Sequence, residues 1–98
     1  MTAGVEGSVA VLALKGELDA YTAPTLEERI GALVTEERFE VVLDLAETTF
    51  VDSSGLRAIL TAQRRLRESG GDVRLRRPSE PVRRLLDITG LTEHFATD

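Results

Sequence analysis

The sequence lacks most of the residue types on which catalytic and metal centres depend. Its 98 residues include no cysteine and a single histidine, His94. Without cysteine, disulfide scaffolds, thiolate metal sites and cysteine nucleophiles are excluded. A serine nucleophile would need His94 as its base, and we expect this residue to be a surface or packing residue instead. We therefore predict that the protein is not an enzyme.

Long apolar runs and nucleotide-binding signatures are also missing. The longest apolar run, residues 9–14, has six residues, against about 20 needed to span a bilayer, and no signal sequence opens the chain. We therefore expect a cytoplasmic protein without a membrane partner. Neither G-x-x-x-x-G-K nor G-x-G-x-x-G occurs, and Asp44, Glu47 and Asp52 lack calcium-loop spacing, so no cofactor or metal is predicted.

The charge of the chain is unevenly distributed. The net charge of −5 disfavours a nucleic-acid partner, and no aromatic platform accompanies the arginines of the second half. Residues 1–52 carry eleven acids and three bases, a net charge of −8, whereas residues 53–98 carry six acids and nine bases, a net charge of +3. Such asymmetry favours a protein partner with a complementary surface.

Apolar spacing alternates between strand and helix periods along the whole chain. The first half predicts a strand at 8–18, in a hairpin with a short strand before Gly7, then a helix at 23–35 and a strand at 39–45. The second half predicts a helix at 54–68 that stops at Gly70-Gly71, and a strand at 72–77. A third helix starts within 78–81 and closes at Gly90, and a short strand follows at 91–95. Phe50, Val51 and Ile88 are predicted to face the core. This order indicates one α/β domain over 1–98, a mixed sheet with central parallel strands and helices packed on it.

The most informative stretch runs from Asp52 to Gly55, between an apolar strand and a helix. Ser53 or Ser54 is a candidate to cap the helix, whose first N–H groups and positive dipole end favour anions. Two interpretations remain open from the residues alone. The stretch is either a simple capped turn or a loop in which a serine can carry a phosphoryl group without disrupting the fold.

Three segments of the chain resemble the STAS domain family, and within it the stand-alone anti-sigma factor antagonists of bacteria. The first is Gly16-Glu17-Leu18-Asp19 with the helix entry at residues 21–26, which is similar to the family's G-E-[LI]-D segment. The second is residues 50–56, similar to the D-S-[ST]-G-[LI] phosphorylation loop. A weaker similarity covers residues 82–91.

The resemblance implies a STAS-type fold and a phosphorylation switch. Such antagonists bind an anti-sigma factor that is also a serine kinase with a histidine-kinase-like ATPase fold, and thereby free a sigma factor. Phosphorylation breaks the complex, and a PP2C-type phosphatase restores it. By this resemblance Ser53 is the phosphorylated residue, Ser54 a helix cap and Asp52 a loop holder, Gly55 lets the partner's backbone approach, and Asp19 lies on the docking face.

Leu56 and Arg57 complete the implied partner-binding loop. Arg57 stands where many family members have glycine, four residues after Ser53, and could pair with a phosphate or with an acid on the kinase. We expect a monomer. Family members commonly continue past the last strand into another helix, whereas this sequence stops at residues 96–98, so a dimer through uncovered apolar surface is the alternative. The alternative function is an accessory or scaffold STAS domain in a stress-signalling assembly or a lipid-transport ATPase complex.

Overall fold

Seven strands and three helices form within residues 1–97, the part of the chain that this computed structural model describes. The strands are β1 (Thr2–Glu6), β2 (Val9–Ala13), β3 (Gly16–Leu18), β4 (Glu40–Asp44), β5 (Thr48–Val51), β6 (Asp72–Arg76) and β7 (Ala96–Thr97), and the helices are α1 (Ala23–Thr35), α2 (Ser53–Glu68) and α3 (Glu80–Thr89). Five strands form one sheet in the order β1-β2-β4-β6-β7, and β3 pairs with β5 in a second sheet. The hairpin of β1 and β2 is antiparallel and every other pairing is parallel, so the predicted mixed α/β architecture is confirmed.

The core lies against the three central parallel strands. Leu12, Leu43 and Leu75 stand side by side in the register of β2, β4 and β6, and all three are buried. Amphipathic helices cover this row, with Leu26 of α1 and Leu66 of α2 fully buried. The apolar spacing of both helices therefore determines which helix face meets the sheet.

Helix boundaries follow the sequence signals closely. α1 occupies residues 23–35 as predicted, with Pro24 in its first turn, where the missing N–H costs nothing. α3 ends at Gly90, whose φ of 72° places it in the left-handed region that favours glycine. These ends were predictable because capping and proline effects act within a few residues.

The predicted strand at 8–18 is wrong as a single element. It divides into β2 and β3, which belong to different sheets. Gly16 has a φ of 87° at the start of β3, and its N–H donates to the carbonyl of Glu47 at 3.0 Å. Because apolar residues recur on both sides of Gly16, over residues 9–14 and again at Leu18, their spacing alone could not show where the chain changes sheets.

The predicted burial of Phe50 and Ile88 is also wrong. Phe50 is 51% exposed and Ile88 76% exposed, while Thr48 of the same strand is buried. The Thr48 hydroxyl donates to the carbonyl of Leu14 at 2.8 Å, which permits its burial. Phe50 and Ile88 instead line an open groove between β5 and α3, because α3 does not close against this side of β5.

The C-terminal part differs from its prediction as well. Residues 92–94 form a 3-10 turn, not part of a strand, and β7 follows it parallel to β6. The buried Gln63 donates to the carbonyl of His94 at 3.0 Å and ties the turn to α2. Because β7 pairs with β6, β6 lies between β4 and β7 and is not an edge strand. Val73 and Leu75 of β6 are buried.

Asp44 at the end of β4 is buried beside an arginine. Burial raises the pKa of Asp44, but the hydrogen bond from Arg77, the hydrogen bond from the backbone N–H of Ala46 and the charges of Arg77 and Arg76 outweigh it, so the pKa lies below the usual value of 3.8. Arg77 itself has a φ of 47°, a left-handed conformation that is rare outside glycine. The arginine of the Asp44–Arg77 ion pair therefore has an unusual backbone conformation, directly after β6.

We expect Asp44→Asn to lower the free energy of unfolding at pH 7 by about 1 kcal/mol, because it removes a charged hydrogen bond to a largely exposed arginine. A carboxylate with a depressed pKa contributes stability above its unfolded pKa, about 4, and loses that contribution as pH falls through the folded pKa. Urea unfolding of both proteins at pH 7 and pH 3 should show the difference shrinking in acid. An equal difference at both pH values would contradict this role.

Candidate functional site

Two loops meet where the two-stranded sheet ends. β3 and β5 run parallel with Leu18 opposite Val51, so the chain leaves both strands at the same edge. The N–H of Asp52 donates to the carbonyl of Leu18 at 3.2 Å and joins the two loops. Residues 19–22 and 52–55, which are separated by thirty residues of sequence, therefore lie side by side.

Asp52 is the cap of α2, which corrects the prediction that Ser53 or Ser54 caps it. Asp52 has an extended backbone, and its side chain accepts a hydrogen bond from the N–H of Gly55 at 2.9 Å. A carboxylate here also faces the positive end of the helix dipole. Ser53 and Ser54 become the first two residues of the helix.

Ser53 is the accessible hydroxyl of the pair. It is exposed, whereas Ser54 is half-buried. Within residues 1–97 the Ser53 hydroxyl makes no hydrogen bond, so its modification breaks no contact. The first-turn N–H groups of a helix lack intrahelical partners and favour an anion at this end.

Gly55 is required by the chain's own backbone. A Cβ at this position would lie 2.2 Å from the carbonyl oxygen of Leu18. The resemblance assigned the glycine to the close approach of a partner; in the structure the backbone that comes close is that of β3. Any larger residue would therefore push α2 away from the two-stranded sheet.

Asp19 shapes the neighbouring loop. Its Oδ1 accepts hydrogen bonds from the N–H groups of Tyr21, at 2.9 Å, and Thr22, at 3.1 Å. Asp19 is half-buried, whereas Tyr21 at the tip of the turn is 92% exposed. Asp19 therefore holds the turn that follows β3, and Tyr21 is the side chain that this loop presents to solvent. That Asp19 lies on the docking face stays a prediction.

Leu56 and Arg57 differ in what they expose. Leu56 is half-buried and packs against the core, so most of its surface belongs to the fold. Arg57 is exposed, and among residues 1–97 no ion pair or hydrogen bond engages its guanidinium. The described residues contain no group of three or more side chains that could hold a metal ion.

A mainly apolar groove lies next to β5, the strand that leads into Asp52. It has a volume of about 580 Å³ and is lined by Phe50 and Val51 of β5 and by Pro81, Leu85 and Ile88 of α3, together with the ion-paired Glu80 and Arg84. Sequence reasoning missed this surface because Phe50 and Ile88 fit core patterns. Exposed aromatic side chains therefore occur in both segments next to the site, Tyr21 after β3 and Phe50 in β5.

We expect Gly55→Ala to destabilise the fold by at least about 1–3 kcal/mol, since the added methyl group would overlap backbone that cannot rotate away. Gly4→Ala is the matched control, because a Cβ at Gly4 meets no atom within 4 Å and should change stability by less than about 0.5 kcal/mol. Urea unfolding measures both variants. Equal stabilities for the two variants would contradict the close approach.

The chain is similar to known proteins both in sequence and in structure. The STAS domain profile matches residues 1–98. The anti-sigma-B factor antagonist of Listeria monocytogenes is 36% identical over 78 residues, which cover 80% of this chain and 68% of that protein. The structure of the anti-sigma factor antagonist SpoIIAA in its unphosphorylated form superposes with a TM-score of 0.84 at 23% identity, covering 99% of this chain and 86% of that one. The phosphorylated form of SpoIIAA, from Bacillus, gives a TM-score of 0.78 at 23% identity, covering 99% and 89%.

Within residues 1–97, no helix is both long and apolar enough to cross a bilayer.

Proposed function

This chain belongs to the STAS domain family, and from that premise we propose that it binds a serine-kinase anti-sigma factor when unphosphorylated and releases it when Ser53 is phosphorylated. Its curated relatives are anti-sigma factor antagonists, regulatory binding proteins without enzymatic activity. Binding would free a sigma factor for transcription in the cytoplasm. A PP2C-type phosphatase would reverse the modification.

The observation that carries this proposal is the position of Ser53. It is the first residue of α2, it is exposed, and its hydroxyl is not used by the fold in residues 1–97. A kinase can therefore reach the hydroxyl without unfolding the loop. The second serine, Ser54, is half-buried and makes a poorer acceptor.

The same position explains how phosphorylation could act as a switch. A phosphoryl group adds about −1.5 to −2 charge at neutral pH, and a helix N-terminus tolerates that charge. We therefore expect the isolated protein to keep its fold. The added charge and bulk would act at the partner's surface, together with the exposed side chains of Tyr21 and Phe50.

We expect Ser53→Ala to abolish phosphorylation by the cognate anti-sigma factor kinase while binding is retained. Ser53→Asp should weaken binding at least about tenfold, because it places a negative charge in the interface, with an unchanged circular dichroism spectrum and a small shift in melting temperature. Ser54→Ala is the control and should still be phosphorylated. Binding is measured by titration calorimetry and phosphate incorporation by mass spectrometry. Phosphate on Ser53→Ala, or a large unfolding effect of Ser53→Asp, would contradict the proposal.

Exposed aromatic side chains should contribute to partner binding. Tyr and other aromatic residues are frequent hot spots, whose truncation costs more than about 1 kcal/mol, so Tyr21→Ala and Phe50→Ala should each weaken kinase binding at least about fivefold. Val5→Ala is the control, since Val5 is also exposed but lies beside the C-terminal half of α1. Equal affinities for all three variants would show that Tyr21 and Phe50 do not contribute to kinase binding.

Phosphosite mapping on the protein from its own cells separates the proposal from the alternative role. Phosphate on Ser53 that varies between growth and stress, with an ATPase-type anti-sigma factor co-purifying, would support the switch. Absence of phosphate under every condition, with scaffold proteins or a transporter ATPase co-purifying, would support an accessory STAS domain instead.

A further inference from the structure

Helices α2 and α3 begin in the same way. Ser53 and Glu80 are each the first residue of a helix, after the N-cap residues Asp52 and Ser79. Each is followed one turn later by an arginine, Arg57 in α2 and Arg84 in α3. In α3 the two side chains form an ion pair, with Arg84 Nη2 3.0 Å from Glu80 Oε1. α2 has the same arrangement with a neutral hydroxyl in place of the carboxylate.

Arg57 has no anionic partner among residues 1–97. The ion pairs in that part of the chain include Lys15–Glu47, Arg38–Glu36, Arg67–Asp72, Arg76–Glu6, Arg77–Asp44 and Arg84–Glu80. Arg57 lies in the second turn of α2, beyond the first turn where the helix dipole acts most strongly. Its charge thus lacks a counter-ion within the described residues, and an anion at Ser53 would supply one.

We propose that Arg57 is the intramolecular counter-ion of phosphorylated Ser53, in the geometry that Arg84 and Glu80 adopt in α3. This inference rests on the proposed function, because it presupposes a phosphoryl group on Ser53. Residues four apart on a helix have Cβ atoms about 5–6 Å apart, and helical side chains point back towards the N-terminus. A phosphoryl group on Ser53 is therefore within reach of the Arg57 side chain.

A phosphoryl group should bind Arg57 more tightly than a carboxylate would. Like a carboxylate it can accept two parallel N–H bonds from a guanidinium, but it carries more charge and has three acceptor oxygens. The pair would also place the phosphate over the free N–H groups of the first turn. Phosphorylation thus changes two features of the partner-facing surface at once: Ser53 becomes an anion, and Arg57 is withdrawn from any acidic group of the partner.

The test uses the full chain with phosphoserine incorporated at position 53 during translation, so that no kinase is needed. The second pKa of the phosphate is measured by phosphorus NMR over pH 4–9. An ion pair of ordinary strength for this spacing lowers that pKa, so Arg57→Gln should raise it by about 0.3 of a unit or more. The neighbouring carboxylates of Asp52 and Asp19 are present in every variant and cancel in the comparison.

Two further variants make the result specific. Arg57→Lys retains the charge and should keep most of the pKa shift. Arg64→Gln removes a cation from the same exposed face, eleven residues and about 16 Å along the helix, and should leave the pKa unchanged. Identical phosphate titrations for Arg57→Gln and the parent, or equal shifts for Arg57→Gln and Arg64→Gln, would overturn the proposal. Because the phosphate is installed without a kinase, this result is independent of whether the kinase experiment succeeds.

Discussion

The contact between Gly55 and the carbonyl of Leu18 is the constraint on which the rest of the site depends. The absence of a side chain at Gly55 lets the first turn of α2 lie directly on the end of β3. The Asp52 N–H bonds the same carbonyl, so one backbone oxygen anchors the whole loop. Ser53 is thereby held at the edge of the two-stranded sheet, exposed at the first residue of α2.

The site is built from local rules combined at one edge of a small sheet. Asp52 caps α2 through the N–H of Gly55, and Asp19 closes its own turn through the N–H groups of Tyr21 and Thr22. Each carboxylate organises a loop of three or four residues. Parallel pairing of β3 and β5 then brings these two independent turns together. The result is a surface that exposes the hydroxyl of Ser53 at the first residue of α2 and the side chain of Tyr21 in the neighbouring turn.

The charge of the chain changes sign at this site. Ser53 lies at the boundary between an acidic first half of the chain and a basic second half, at the positive end of α2. In the proposed switch, a phosphoryl group at this position would meet favourable N–H groups and the guanidinium of Arg57, while a partner approaching the same surface would meet a new negative charge. The proposed modification would therefore stabilise the protein's own helix and oppose its complex at the same time, because the two effects act on different neighbours.

The sequence by itself determined the features that depend on near neighbours. Helix α1, the closure of α3 at Gly90 and the parallel α/β order follow from periodicity and capping residues. The cap of α2 is equally local, since Asp52 accepts from the N–H of Gly55 three residues on, but three adjacent polar residues could serve as that cap and the sequence did not distinguish them. Tertiary structure decided the rest. The break between β2 and β3, the exposure of Phe50 and Ile88 and the internal role of Gly55 depend on residues far apart in the chain. Apolar spacing identifies the side chains that are expected to be buried, but only the packing of the whole chain decides whether another element buries them.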